Sequence, residues 1–159
     1  MGALLAAAAA YAAGPLTNFN VVLLQPSSVL EARVTNVDAM AEYVKAVEAA
    51  SREAVVASGA RQSVGGFIVV AVKPGLKSNV WLDFDTLTDL EMQKQIVTRV
   101  RAIKPFEATQ GPVVFALKVA TWDGRQSRRS APLPPEWKNA TQGQPPVEIG
   151  DLVERVWQD

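Results

Sequence analysis

An α+β fold is predicted, with helix, strand, strand, helix, strand in chain order, and three observations carry it. Residues 64–72 form an apolar run dense in β-branched side chains, closed by the turn signal Lys73, Pro74, Gly75. Residues 79–85 alternate with a period of two, placing Val80, Leu82 and Phe84 on one face and Trp81, Asp83 and Asp85 on the other. Residues 111–122 repeat that pattern with Val113, Phe115, Leu117 and Val119 along one face.

The helices follow from period and caps. Residues 37–58 carry Met40, Val44, Val47 and Ala54 at helical spacing, with Glu42, Lys45, Glu48 and Arg52 on the opposite side. Thr35 and Asp38 stand in capping-box spacing, and Gly59 supplies the stop. In the second helix Met92, Ile96, Val100 and Ile103 form the stripe. Thr88 and Glu91 are the expected cap, Arg99, Arg101 and Lys104 suit the negative end of the dipole, and Pro105 ends it.

A helix crossing from the second strand back over the first places the third strand beside the first. The expected sheet is therefore three-stranded and antiparallel in the order 2-1-3, with both helices on one face. Its third strand, residues 113–121, would be outermost.

The flanks are less regular. Residues 14–36 read as an extended lead-in, in which Val21, Val22, Leu23 and Leu24 form either a short edge strand or extended chain. Residues 123–159 read as a proline-rich tail: residues 131–146 hold five prolines and are expected to lack regular structure, and residues 149–157 suit one short terminal helix. Residues 1–13 are apolar and rich in alanine, too short for a span of about 20 residues. They resemble a signal-peptide core, with Ala10, Tyr11 and Ala12 as the cleavage site. The missing positive n-region leaves an ordinary alanine-rich helix as the alternative, and export to the periplasm or beyond is the expectation.

Composition narrows the chemistry. Sixteen basic residues balance sixteen acidic ones, which argues against a nucleic-acid binder relying on net positive field. The chain has no Cys and no His, so thiolate nucleophiles, Cys or His zinc sites and Ser-His-Asp triads are excluded. Asp83 and Asp85 share a strand face near Asp89 and could hold a hard cation, although a solvated face and a helix cap explain them as well. No catalytic residue, cofactor or metal is assigned.

Residues 96–122 carry a family resemblance. Val97, Val100, Arg101, Lys104, Pro105, Phe106 and Glu107, followed by Gly111, Pro112, Val113, Val114 and Phe115, resemble the last helix, aromatic-Pro junction and Gly-led final strand of the TonB C-terminal domain, and more loosely the TolA one. The resemblance would cover residues 37–122 as a domain. The Tyr-Pro pair common near that family's first helix is missing, so the likeness implies a fold and not energy coupling. It also implies partner-protein binding through a sheet edge. On that basis Val113, Phe115, Leu117 and Val119 are candidate partner-binding residues.

Two further surfaces are candidates. Arg125, Arg128 and Arg129 could hold a phosphate or an acidic partner, or form a solvated loop. Trp81 and Trp122 fall on the sheet face opposite the helices, to be covered by the tail with Trp137 or left as an aromatic surface. The expected function is binding another protein. An immunity or inhibitor protein and a carboxylate-dependent enzyme are the alternatives.

Overall fold

The computed structural model describes residues 14–157. Among these, four strands form one antiparallel sheet and five helices surround it: β1 (Leu16–Leu23), α1 (Ser27–Arg33), α2 (Val37–Ser58), β2 (Val64–Lys73), β3 (Lys77–Phe84), α3 (Leu90–Arg101), β4 (Val113–Thr121), α4 (Pro135–Thr141) and α5 (Ile149–Val156). The alanine-rich run and its cleavage site lie outside the described residues.

The sheet order is β1-β4-β2-β3. The expected neighbours β3, β2 and β4 stand together, and β1 is a fourth strand added beside β4. The three-stranded expectation is thereby corrected, because the lead-in is a strand. The physical reason lies in β4. It is apolar on both faces, with Val114, Ala116 and Ala120 as fully buried as Phe115 and Leu117. A strand buried on both faces belongs inside a sheet, where both rows of backbone groups are paired.

Each sheet face has its own core. On one face α2 and α3 cover Ile68, Val70, Val72, Val113, Phe115 and Leu117 with Tyr43, Val47, Val55, Met92, Ile96 and Val100. On the other, Trp137 of α4 and Leu152 and Val153 of α5 cover Phe67, Val69, Ala71, Trp81, Val114 and Ala116. The continuous apolar run of β2 is thus a strand sandwiched between two helical layers. Gly66 marks the crowding there, since a Cβ at that position would lie 2.6 Å from the carbonyl oxygen of Asp83.

Several element boundaries move. Asn36, not Thr35, caps α2 by accepting from the Ala39 N–H at 3.0 Å. Asp89, not Thr88, caps α3 by accepting from the Met92 N–H at 2.9 Å. The Thr88 hydroxyl instead accepts from the Gln93 amide at 2.6 Å. Helix α3 ends at Arg101, four residues before Pro105. Gly59 ends α2 in the left-handed conformation, φ 74°, as expected. The stretch expected to be irregular contains α4, which begins on Pro135; proline is tolerated at the first helical position, where its missing N–H would have no partner.

The terminal helix α5 is fastened to the sheet by Gln25. Its side-chain amide donates to the Pro112 carbonyl at 3.0 Å, and its oxygen accepts from the Val114 N–H at 2.9 Å, continuing the strand pairing after β1 ends. The same amide donates to Glu148 at 3.2 Å, and Glu148 caps α5 through the Asp151 N–H. Burial pushes the Glu148 carboxyl up, but hydrogen bonds from Gly150, Gln25 and Asp151 and the charge of Arg33 outweigh it and hold the carboxyl below its ordinary range.

Candidate interaction surfaces

The residues expected to form an exposed edge do not do so. Val113, Phe115, Leu117 and Val119 are fully buried beneath α2 and α3, and the β4 backbone is paired on both sides. The correction moves one free edge from β4 to β1, and β3 remains the other, as the expected order had it.

At β1 the geometry can be worked out from the ladder. Leu24 donates to the Val114 carbonyl, and the register pairs Val22 with Ala116 and Asn20 with Lys118. In an antiparallel ladder hydrogen-bonded and non-bonded pairs alternate, so Val21 and Leu23 turn their N–H and C=O groups away from β4. Their side chains lie opposite Leu117 and Phe115, on the helix face of the sheet. Even so Val21 is 38% exposed and Leu23 53%, because the helix layer does not close over them. Phe19, 39% exposed, sits at a bulge between the paired residues Asn18 and Asn20. A bulge bends and twists an edge, one of the devices that keep it from pairing indiscriminately. These residues were missed as a site. The bulge hides them from pattern reading, because it puts Asn18 and Val21 on one face, opposite Val119 and Leu117, so the alternation of Asn18, Phe19, Asn20 and Val21 does not mark the faces.

The tryptophans separate. Trp81 meets Trp137 with ring centroids 5.4 Å apart and Trp157 at 6.2 Å, both edge to face. The tail therefore covers this part of the sheet. Trp122 does not share that face. It follows the last residue of β4 with φ 47°, which breaks the strand alternation and turns its ring to the helix side. There its indole N–H donates to the Ala60 carbonyl at 2.9 Å, and the Arg61 guanidinium stacks 4.1 Å from the ring centroid.

The three arginines separate as well. Arg129 bridges the strand carboxylates, reaching Asp83 at 2.6 Å and Asp85 at 2.9 Å. Its hydrogen bond to Asp83 holds its pKa above the ordinary value, against the lowering effect of burial and with further help from Asp85. Asp83 also accepts the Leu133 N–H at 2.6 Å, and Asp85 accepts the Ser127 hydroxyl at 2.9 Å. The carboxylate pair considered for a cation is thus engaged in fastening the tail to β3. Arg125 and Arg128 are exposed and border an open cleft with Thr86 and Ser63.

No helix among the described residues is long and apolar enough to cross a membrane. No protein-family model, curated protein or solved structure matches this chain.

Proposed function

We propose that this is an exported bacterial protein that works by binding another protein, which adds a strand to the open edge of β1. The observation that carries the reading is the outward backbone of Val21 and Leu23 together with their exposed side chains. An extended partner gains main-chain hydrogen bonds from the first and apolar contacts from the second. The TonB-like pattern in residues 96–122 supports the same mode of binding, on the strand one place further out.

Binding is favoured over a carboxylate-dependent enzyme by the state of Asp83 and Asp85. An acid or base must be free to exchange a proton with a substrate, and these two are held by Arg129, Ser127 and a backbone amide. An immunity or inhibitor protein would use the same edge on a toxic or catalytic partner, so the identity of the captured protein separates that version.

The test uses two prolines. Val21→Pro removes an outward donor, whereas Val22→Pro removes one bonded to β4. With a partner recovered by affinity capture from the native host, Val21→Pro should leave the melting temperature nearly unchanged and weaken binding about tenfold or more. Val22→Pro should destabilise the fold. Parental affinity in a folded Val21→Pro variant would exclude this edge.

Export makes a separate expectation. Protein purified from the native host should begin near Ala13 or Gly14 when its terminus is read by mass spectrometry. An intact Met1 on protein from the cytoplasmic fraction would remove the export reading.

A further inference from the structure

The other edge of the sheet is a different kind of surface. Asp85 donates to the Gly65 carbonyl at 2.9 Å, and the β2–β3 register continues unbroken to Lys73 and Lys77. Alternation then turns the N–H and C=O groups of Ser78, Val80, Leu82 and Phe84 away from β2. Unlike β1, this edge lies at the bottom of a row of clefts. At the hairpin end a space of about 750 Å³ is bordered by Lys77, Ser78, Arg101, Ile103, Lys104 and Trp157. The next, about 500 Å³, is bordered by Val80, Val97 and Arg101 on one side and by Glu136, Arg155 and Val156 on the other. Helix α3 forms one wall, α4 and α5 form the other, and the β3 backbone is the floor.

The charge in this groove is lopsided. Lys77, Arg101, Lys104 and Arg155 face these two clefts with Glu136 as the sole carboxylate among their described lining residues, whereas the cleft at the Leu82–Phe84 end of β3 is bordered by Asp83 and Asp85. Among the described residues none of these four cations forms an ion pair. Arg101 is the last residue of α3 and Lys104 comes three residues after it, where the helix dipole favours cations. That account does not reach Lys77, which comes from the hairpin, or Arg155, which comes from α5. Three separate elements bring positive charge to one groove in a chain whose formal charge is zero.

We propose that this groove receives an extended acidic segment of a partner protein, laid along β3 as an added strand with its carboxylates at the Lys77, Arg101 and Lys104 end. The fit is one of length as well as charge. The eight residues of β3 span about 27 Å, enough to pair a comparable stretch. One position is blunted, because the buried Asn79 side chain accepts the outward N–H of Val80 at 2.9 Å. A strand arriving here therefore meets fewer free donors than a bare edge offers. The cations supply the remaining attraction and select for sign, so an uncharged strand gains little from the site.

Titration of the full chain against a fluorescein-labelled ten-residue peptide of alternating Glu and Val tests this by anisotropy. The same peptide with two Val positions changed to Pro keeps the length and the charge and cannot pair as a strand. The alternating peptide should bind, and the proline version at least about tenfold more weakly. Lys104→Glu and Arg101→Glu, both at exposed positions, should each weaken binding about tenfold, while Lys138→Glu outside these two clefts should not. Equal binding of the two peptides, parental affinity in both charge-reversed variants, or no binding at millimolar peptide would each overturn the proposal. Tighter binding of a single-stranded oligonucleotide than of the peptide would overturn it in favour of a nucleic-acid groove. The Val21→Pro variant should bind the peptide as the parent does, because β1 is at the opposite edge of the sheet.

Discussion

Trp137→Ala should lower stability by about 3–5 kcal/mol and free the C-terminal layer from the sheet. The indole is 1% exposed and sits at the centre of the second core, against Trp81 and among Phe67, Val69, Leu152 and Val153. It is the large apolar group that α4 contributes there, so truncation leaves a cavity that a seven-residue helix cannot close. The measurement is urea denaturation followed by tryptophan emission, which should shift to the red in the folded baseline as Trp81 and Trp157 become wet. Trp137→Phe should cost much less. The indole N–H has no hydrogen-bond partner among the described residues, so the phenyl ring gives up volume but no bond. A parental midpoint and emission in Trp137→Ala would show that the tail is held by other contacts.

Phe115→Ala should cost a similar amount, about 3–5 kcal/mol, by a different route. Phe115 is fully buried on β4, edge to face with Tyr43 of α2 at 6.2 Å. Its backbone stands between Leu23 of β1 and Val70 of β2. The cavity therefore opens under the first core at the strand that joins both halves of the sheet. Ile96→Ala, which removes the α3 side of the same core, should cost about 2–5 kcal/mol. Midpoints unchanged within error for both would mean that the helices do not pack on this face.

The parts of the fold legible in the sequence were those where one force dominated. The stripes of α2 and α3 and the alternation in β3 and β4 each express burial on one side, and that pattern survives in the chain without any neighbour being known. The lead-in was harder because β1 is bulged and largely exposed. Its side chains carry little burial signal, and its partner is a strand far along the chain. The caps missed by one residue show another limit. Thr35, Asn36 and Asp38 all carry oxygens that suit a helix start, and only the backbone angles choose among them. Helix α4 was hidden by its own prolines, which mark a breaker in most positions and a favoured start in one.

The candidate sites were less legible than the fold. Strand order decides which edge is free, and one unassigned strand was enough to move the edge from β4 to β1. Trp122 was placed by strand alternation that ends one residue before it. Arg129 was grouped with its sequence neighbours, whereas its position is set by Asp83 and Asp85 more than forty residues earlier.

The pairing of β1 with β4 has a consequence for how the chain comes together. Leu16 finds Thr121 about a hundred residues later, whereas β2 and β3 are joined by a tight hairpin. The hairpin and its covering helices can form from local contacts, but the first strand has no docking position until the last one has been made and laid against β2. A ribosome still short of Thr121 holds a chain in which β1 is without its partner. Closing so long a loop is entropically expensive and slows folding relative to chains with local contacts. β1 is thus made about a hundred residues before its partner strand and is among the last elements to be secured.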